Sequence, residues 1–169
     1  MKYRSWVLVC ILALALFLRL YKLTEVPVGF HGDEASIGYN AYSLLKTGRD
    51  QNNKFLPLAI DQFGDFRPAG YHYLTIPFVF LFGLTEFAVR LPSAFIGGLS
   101  VIPIFFLVLQ FFKRQNLALL SSLMLAISPW HIALSRATSE SIVALFFVLC
   151  GVYFLLRQNY RYSLPIFIL

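Results

Sequence analysis

Charged residues are scarce in this chain. Of its 169 residues only 13% are Asp, Glu, Lys or Arg, whereas 59% are hydrophobic, and the mean hydropathy is +0.71. An ordinary soluble domain carries about a quarter charged residues. The shortage of charge therefore argues against a soluble domain and predicts an all-α integral membrane protein.

Cysteine and concentrated positive charge are lacking as well. Cys10 and Cys150 each lie in an apolar run, and no C-x-x-C pair or Cys/His metal spacing occurs. The formal net charge is +6, but the Lys and Arg residues lie singly or in pairs between apolar runs. Without a continuous basic stripe, nucleic-acid binding is not expected. The two cysteines are interpreted as reduced packing residues.

The apolar runs indicate where the chain crosses a membrane, which takes about 20 residues per helix. We predict spans at about residues 5–23, 91–112, 115–135 and 141–156, and the start of another at 162. The first is extended to residue 23 because Arg19 and Lys22 can snorkel to the headgroups. Since the sequence stops inside an apolar segment, we interpret residues 1–169 as the N-terminal part of a longer transmembrane domain.

The basic residues predict the orientation. Basic groups without acidic neighbours lie in tails or short connections, at Lys2/Arg4, Lys113/Arg114 and Arg157/Arg161. The positive-inside rule makes these groups cytoplasmic. An even number of spans must then separate Lys2 from Lys113, so the run 68–85, interrupted by Pro and Gly, is interpreted as re-entrant or interfacial. Residues 24–90 become a long external loop, and all eight acidic residues lie outside. A full crossing by 68–85 is the alternative.

An apolar stripe in the external loop predicts a short amphipathic helix on the membrane surface. The stripe consists of Ile37, Ala41, Leu44 and Leu45, and the polar residues off it are Ser36, Asn40 and Lys46. Asp33 stands where an N-cap belongs, and Gly48 where a glycine would end the helix. The segment 64–70 is interpreted as a polar break.

Several ionisable side chains border the predicted hydrocarbon, where charge is costly and tends to be paired or functional. They are Asp33, Glu34, Asp65, Arg67, Arg90, Arg136 and Glu140. Converging carboxylates and guanidinium groups suit group transfer from a lipid phosphate. A carboxylate takes a proton from the attacking hydroxyl or amine, while an arginine neutralises the departing phosphate.

Each of these residues also has a purely structural interpretation. Asp33 can serve only as an N-cap, while Glu34 and Glu140 can be first-turn acids stabilised by the helix dipole. The arginines at span ends can be headgroup anchors, and Arg67 can pair with Asp65. The histidines lack metal-ligand spacing and are interpreted as interface or packing residues: His31, His72 and His131.

Four segments in order carry a family resemblance: "HGDEASIGYNA", "FRPAGYHYL", "FGLTEFAVRLPSAFIGGLSV" and "ISPWHIALSRATSE". Together they resemble the GT-C membrane glycosyltransferases, specifically the bacterial relatives of protein O-mannosyltransferases and lipid A aminoarabinose transferases. The resemblance implies a multi-span helical GT-C-like bundle. It further implies transfer of a sugar from a polyprenyl-phosphate donor to a protein or lipid/glycan acceptor. The reaction would occur on the extracytoplasmic face of the plasma (inner) membrane, without an obligatory metal.

The resemblance also implies roles for individual residues. Asp33 matches the first external-loop acid, the base or acceptor-orienting carboxylate. The other catalytic candidates are its neighbour Glu34 and Glu140, which stands where relatives usually carry Asp. The lipid-phosphate contacts are Arg67, Arg90 and Arg136. Arg67 departs from the family pattern, because it precedes Pro-Ala where relatives have Lys before Pro-Pro.

Two other functions compete with this expectation. One is a metal-dependent enzyme like the oligosaccharyltransferases, with Asp33 and Glu140 as ligands of a divalent cation. The other is a non-catalytic transport or assembly module whose charges line a path or hold a partner. Sugar transfer that is insensitive to chelators would exclude the metal-dependent enzyme. Loss of sugar transfer in Asp33→Asn would argue against the non-catalytic module.

Overall fold

The computed structural model describes residues 2–62 and 64–157, with side chains from residue 5 onward. Its elements are α1 (Lys2–Leu20), α2 (Gly32–Thr47), β1 (Ala59–Gln62), β2 (Asp65–Pro68), α3 (Gly70–Phe82), α4 (Glu86–Leu99), α5 (Val101–Phe112), α6 (Gln115–Ala126), α7 (Pro129–Arg136) and α8 (Glu140–Leu156). The chain divides into two compact units, with one boundary between Tyr21 and Lys22 and the other between Pro92 and Ser93, within α4. We call residues 22–92 the loop unit, and the remaining described residues the helical unit.

The loop unit is built on the packing of α2 against α3. Ala41 of α2 joins Val79 and Ala88 in one buried cluster, and Leu44 joins Ile60 and Ala69 in a second. The predicted apolar stripe of α2 is therefore confirmed as the buried face of a helix. That face packs on protein.

Two polar residues of α2 that were expected off the stripe, Ser36 and Asn40, are buried as well. The loop after α2 covers them. Asn40 Oδ1 accepts a hydrogen bond from the backbone N–H of Gln51 at 2.9 Å, and Asn40 Nδ2 donates to the carbonyl of Ser36 at 2.9 Å. Because Gln51 of the following loop supplies hydrogen bonds to both ends of the Asn40 amide, Asn40 is buried with its polar atoms paired.

The ends of α2 lie close to their predicted positions. Gly48 ends the helix in the left-handed conformation (φ 69°), as predicted, and its N–H donates to the Leu44 carbonyl at 2.9 Å. The N-cap is His31, so the prediction for Asp33 is wrong. His31 Nδ1 accepts a hydrogen bond from the Asp33 N–H, and Glu34 Oε2 accepts one from the His31 N–H. This reciprocal capping box leaves the Asp33 carboxylate available for other contacts.

A short antiparallel hairpin corrects the all-α expectation within residues 59–68. Strand β1 pairs with β2 in the register Ala59↔Pro68, Ile60↔Arg67, Asp61↔Phe66 and Gln62↔Asp65. The segment 64–70, interpreted as a polar break, contains β2 and the start of α3. Strands of four residues give too few alternations for a period of two to stand out in a sequence.

Each described predicted span contains helix, but residues 21–23 and 127–128 lie outside the helices. Helices α4 and α5, counted together as Glu86–Phe112, have the length and composition to cross a membrane. The run 115–135 forms α6 and α7, whose axes are bent by 52° relative to each other. The two helices are long and apolar enough to cross a membrane only if they are counted together as one broken span. Helices Ser5–Leu20 and Glu140–Leu156 are shorter, so their crossings stay predictions. The segment starting at 162 lies outside the described residues.

Helix α3 is too short to match a full crossing. Its 13 residues extend about 20 Å, whereas the hydrocarbon core is about 30 Å thick. Pro77 lies inside the helix, and Gly83 ends it. This length favours the interfacial or re-entrant interpretation of 68–85, which stays a prediction.

Close helix packing in the helical unit depends on small residues. A Cβ atom added at Gly98 would lie 2.5 Å from Leu16 Cδ2, and one added at Gly97 would lie 2.5 Å from Ser135 Cβ. The core beside them contains Ile11, Ala15, Val101 and Ala126. Small side chains let apolar helices approach closely, which maximises their van der Waals contact.

Arg19 is fully buried, and the prediction that it snorkels to the headgroups is wrong. Its guanidinium group donates to the carbonyls of Ala126 (3.0 Å) and Leu125 (3.2 Å), at the C-terminus of α6. It also lies 2.9 Å from His131 Nδ1, which must be the acceptor because arginine has none to offer. Arg19 therefore donates to carbonyls at the bend after α6, of which the Leu125 carbonyl also accepts a bond from the Ser128 N–H at 3.4 Å.

We predict that Arg19→Met lowers the free energy of unfolding by about 3 kcal/mol, because it removes the donor to the buried Ala126 carbonyl and to His131 Nδ1. Arg19→Lys should recover only part of the loss, since an ammonium group cannot reproduce the planar fork. Thermal unfolding in detergent measures both, with the exposed Arg114→Met as the control. Equal stability of Arg19→Met and Arg114→Met would show that the buried bonds contribute nothing.

Candidate active site

The first turn of α2 carries two adjacent acids that point in different directions. Successive helix residues are about 100° apart around the axis, so neighbours face different surroundings. The Glu34 side chain is 5% exposed, whereas that of Asp33 is 38% exposed. Each acid meets a different arginine.

Glu34 forms a buried bidentate ion pair with Arg90. Arg90 Nε donates to Glu34 Oε1 at 3.0 Å, and Nη2 donates to Oε2 at 2.9 Å. Further N–H groups of Arg90 donate to the carbonyls of Leu23, Pro27 and Gly29. A guanidinium group has five N–H donors, and these contacts use all five.

Because all five N–H donors of Arg90 are used, Arg90 does not fit its expected role as a contact of the lipid phosphate. Its side chain is completely buried, and every donor already has an oxygen partner. A lipid phosphate would have to displace those partners. Helix α4 begins at Glu86, so Arg90 lies inside a helix and not at the helix end where a headgroup anchor was considered. The geometry fits a positioning residue for Glu34 and the segment 23–29.

Asp33 forms a more accessible ion pair with Arg67. Arg67 Nη1 donates to Asp33 Oδ2 at 3.2 Å, and the Arg67 side chain is 32% exposed. Arg67 Nε also lies 3.5 Å from Asp65 Oδ2, so the expected pairing with Asp65 occurs together with the pairing to Asp33. Gln62 Nε2 donates to the backbone carbonyl of Asp33 at 3.5 Å. The β1–β2 hairpin thus brings a cation to the first turn of α2.

The remaining candidates belong to the helical unit. Arg136 ends α7 and is 8% exposed, and its Nη1 donates to the carbonyls of Leu18 (2.8 Å) and Arg19 (3.3 Å). These carbonyls belong to the last turn of α1, which a cation stabilises. Glu140 is the first residue of α8, where an acid complements the helix dipole.

Within the described ranges 2–62 and 64–157, no group of three or more His, Cys, Asp or Glu side chains is arranged to hold a metal ion. Asp33 lies in the loop unit and Glu140 in the helical unit.

Several buried polar residues have roles that the sequence analysis missed. Gln62 is 1% exposed and contacts Asp33, but its strand was too short to recognise. His72 and His131 are fully buried, as their interpretation as packing residues requires. The signal available for His72 was its position as an ionisable residue in an apolar run.

Loss of the Glu34 carboxylate should destabilise the loop unit strongly. We predict that Glu34→Ala lowers the free energy of unfolding by about 3 kcal/mol, because the Arg90 charge is left buried without its counter-ion. Asp33→Asn removes an acid next to it in the sequence, but from a partly exposed pair, and should cost about 1 kcal/mol or less. Thermal unfolding of both variants checks the contrast, and similar losses would contradict it.

Comparison with known proteins identifies the family of the chain. A family model described as dolichyl-phosphate-mannose-protein mannosyltransferase matches residues 9–165. No curated protein and no solved structure matches the chain. The family consists of integral membrane enzymes and indicates a glycosyltransferase that uses a polyprenyl-phosphate-linked sugar donor. Because the match covers most of its length, the chain belongs to the dolichyl-phosphate-mannose-protein mannosyltransferase family, a GT-C-type family.

Proposed function

We propose that the chain contributes the catalytic carboxylate of a transferase that moves a sugar from a polyprenyl phosphate to a protein or lipid/glycan acceptor. The observation that carries this proposal is the Asp33–Arg67 ion pair. Its two charged groups are 3.2 Å apart and about one-third exposed. A substrate can therefore reach both the carboxylate and the guanidinium group.

The two groups match the charges that the reaction moves. The acceptor oxygen or nitrogen forms a bond to the anomeric carbon, and its proton passes to the Asp33 carboxylate. The bond between the anomeric carbon and the phosphate oxygen breaks, and polyprenyl phosphate leaves with the electron pair. Arg67 offsets the charge that develops on the phosphate. A single displacement of this kind inverts the anomeric centre.

Glu34 and Arg90 support the reaction from beneath the surface. Their buried ion pair fixes the first turn of α2, and with it the neighbouring Asp33. A carboxylate held in place needs less rearrangement in the transition state. We propose a positioning role for both residues in place of direct contact with the phosphate.

Glu140 and Arg136 are proposed as a second acid and a second phosphate ligand. Their four-residue separation at the α7–α8 turn places an acid and a cation in one short segment. The turn is held by Ser93, whose Oγ accepts a hydrogen bond from the Ser139 N–H at 3.2 Å. A fixed turn suits residues that must meet a charged substrate.

We further propose a multi-pass arrangement in the plasma (inner) membrane, with Asp33 on the extracytoplasmic face. The support comes from the apolar helices and from the basic clusters in short connections.

Replacing Asp33 should remove activity without unfolding the protein. We predict that Asp33→Asn lowers kcat at least 100-fold, since general-base catalysis contributes factors of about 10² to 10⁴. Release of polyprenyl phosphate from a panel of polyprenyl-phosphate sugars by the full-length protein measures this. The matched control is Asp65→Asn, which removes the other carboxylate near Arg67 and should retain wild-type turnover within about threefold. Wild-type turnover in Asp33→Asn would sink the proposal.

The orientation has a separate test. In a protein whose Cys10 and Cys150 are replaced by Ala, we introduce Asn52→Cys or Arg114→Cys at exposed positions. A membrane-impermeant thiol reagent applied to intact cells should label residue 52, but label residue 114 only after permeabilisation. The reverse pattern would place Asp33 on the cytoplasmic side and contradict the proposed orientation.

A further inference from the structure

Three buried polar side chains in the described part of the loop unit have hydrogen-bonding atoms without partners: Asp50, whose Oδ2 has none while its Oδ1 accepts from the N–H groups of Asn52 and Lys54, and His72 and Gln62. His72, in the first turn of α3, is 0% exposed, and neither ring nitrogen has a hydrogen-bond partner among the described residues. Gln62 is 1% exposed, and its Oε1 likewise accepts no hydrogen bond from any described residue. More than about nine in ten buried polar groups in proteins are paired, so such side chains require an explanation.

Gln62 lies next to the Asp33–Arg67 ion pair. Its Nε2 donates to the Asp33 carbonyl at 3.5 Å, which leaves Oε1 as the free acceptor. In the hairpin, Ile60 lies opposite Arg67. Because Ile60 and Gln62 are two residues apart on β1, Gln62 and Arg67 project from the same face of the sheet.

His72 is linked to the same ion pair through Arg67. Helix α3 begins two residues after β2 ends, so His72 follows Arg67 closely in the chain. Burial, and secondarily the charge of Arg67, lower the pKa of His72 to about 4. The ring is therefore neutral at pH 7, with one nitrogen donating and the other accepting.

Other buried polar residues of this unit show what pairing looks like where protein partners are within reach. Asn40 bonds to Ser36 and Gln51, and Thr75 Oγ1 donates to the Tyr71 carbonyl at 2.9 Å. Thr75 lies one turn after His72 on α3. In contrast, the unpartnered atoms of His72 and Gln62 belong to residues linked to the Asp33–Arg67 pair: Gln62 contacts the Asp33 backbone, and the charge of Arg67 acts on His72.

We propose that His72 and Gln62 form a subsite that binds a hydroxyl group of the substrate held at Asp33 and Arg67. A hydroxyl both donates and accepts a hydrogen bond, and so complements a neutral imidazole together with an amide oxygen. A phosphate, which offers mainly acceptors, would leave Gln62 Oε1 unpaired. The inference rests on the proposed transfer function. The hydroxyl belongs either to the donor sugar or to the acceptor, and the experiment separates the two.

The test compares two lipids on the full-length protein: a polyprenyl-phosphate sugar and the same polyprenyl phosphate without its sugar. If the subsite holds the donor, His72→Phe and Gln62→Leu should each weaken binding of the sugar-bearing lipid about tenfold and leave binding of the bare lipid phosphate unchanged. If the subsite holds the acceptor, both affinities stay constant and the KM for the acceptor rises about tenfold. His72→Gln, which keeps a donor and an acceptor, should restore part of the loss.

Thr75→Val is the matched control, because it removes a buried polar group on α3 that already bonds to its own helix. It should change neither the lipid affinities nor the KM for the acceptor. If His72→Phe fails to fold, Gln62→Leu gives the decision. If the wild-type protein is active and the His72 and Gln62 variants have the same lipid affinities and the same acceptor KM as the wild type, the subsite alone is overturned. A wild-type protein that neither binds the donor nor releases lipid phosphate overturns the proposed transfer function and the subsite with it.

Discussion

The site depends on the ion pair between Glu34 and Arg90. A guanidinium group buried without partners would be very costly, so its five donors must all find oxygen atoms. The Glu34 carboxylate supplies two of these oxygens, and the carbonyls of the segment 23–29 supply the others. The requirement to satisfy one arginine thereby fixes both the segment that enters α2 and the helix's first turn.

The neighbouring Asp33 gains its position from that anchor while keeping its own carboxylate accessible. Two adjacent acids thus take different tasks, because a helix turns them toward different surroundings. The hairpin supplies Arg67 from one side, and Gln62 contacts the Asp33 backbone. A rigid buried pair next to an accessible pair is the arrangement that a transferase needs when the charge of its substrate changes during reaction.

In the helical unit, arginines solve the problem of broken helices in apolar surroundings. Arg19 donates hydrogen bonds to carbonyls at the end of α6, and Arg136 donates hydrogen bonds to carbonyls at the end of α1. Each helix end exposes carbonyl groups that have no helical partner and no water within an apolar interior. Arg19, which looks like a membrane-surface anchor in the sequence, therefore serves here as an internal hydrogen-bond donor, and Arg136 donates through Nη1 in the same way.

The sequence by itself determined the apolar helices, the α2 stripe with its glycine end, the family and the acids that could act, because periodicity and motif order are local properties. It did not reveal the hairpin, whose strands are four residues long, nor the N-cap at His31. Only the tertiary structure decided which arginine meets which acid. Arg67 and Arg90 have the same charge in the sequence, but one is partly exposed beside Asp33 and the other is saturated beside Glu34. Burial and hydrogen-bond saturation arise from residues distant in the chain, and they separate a cation that a substrate can reach from one whose donors are all used.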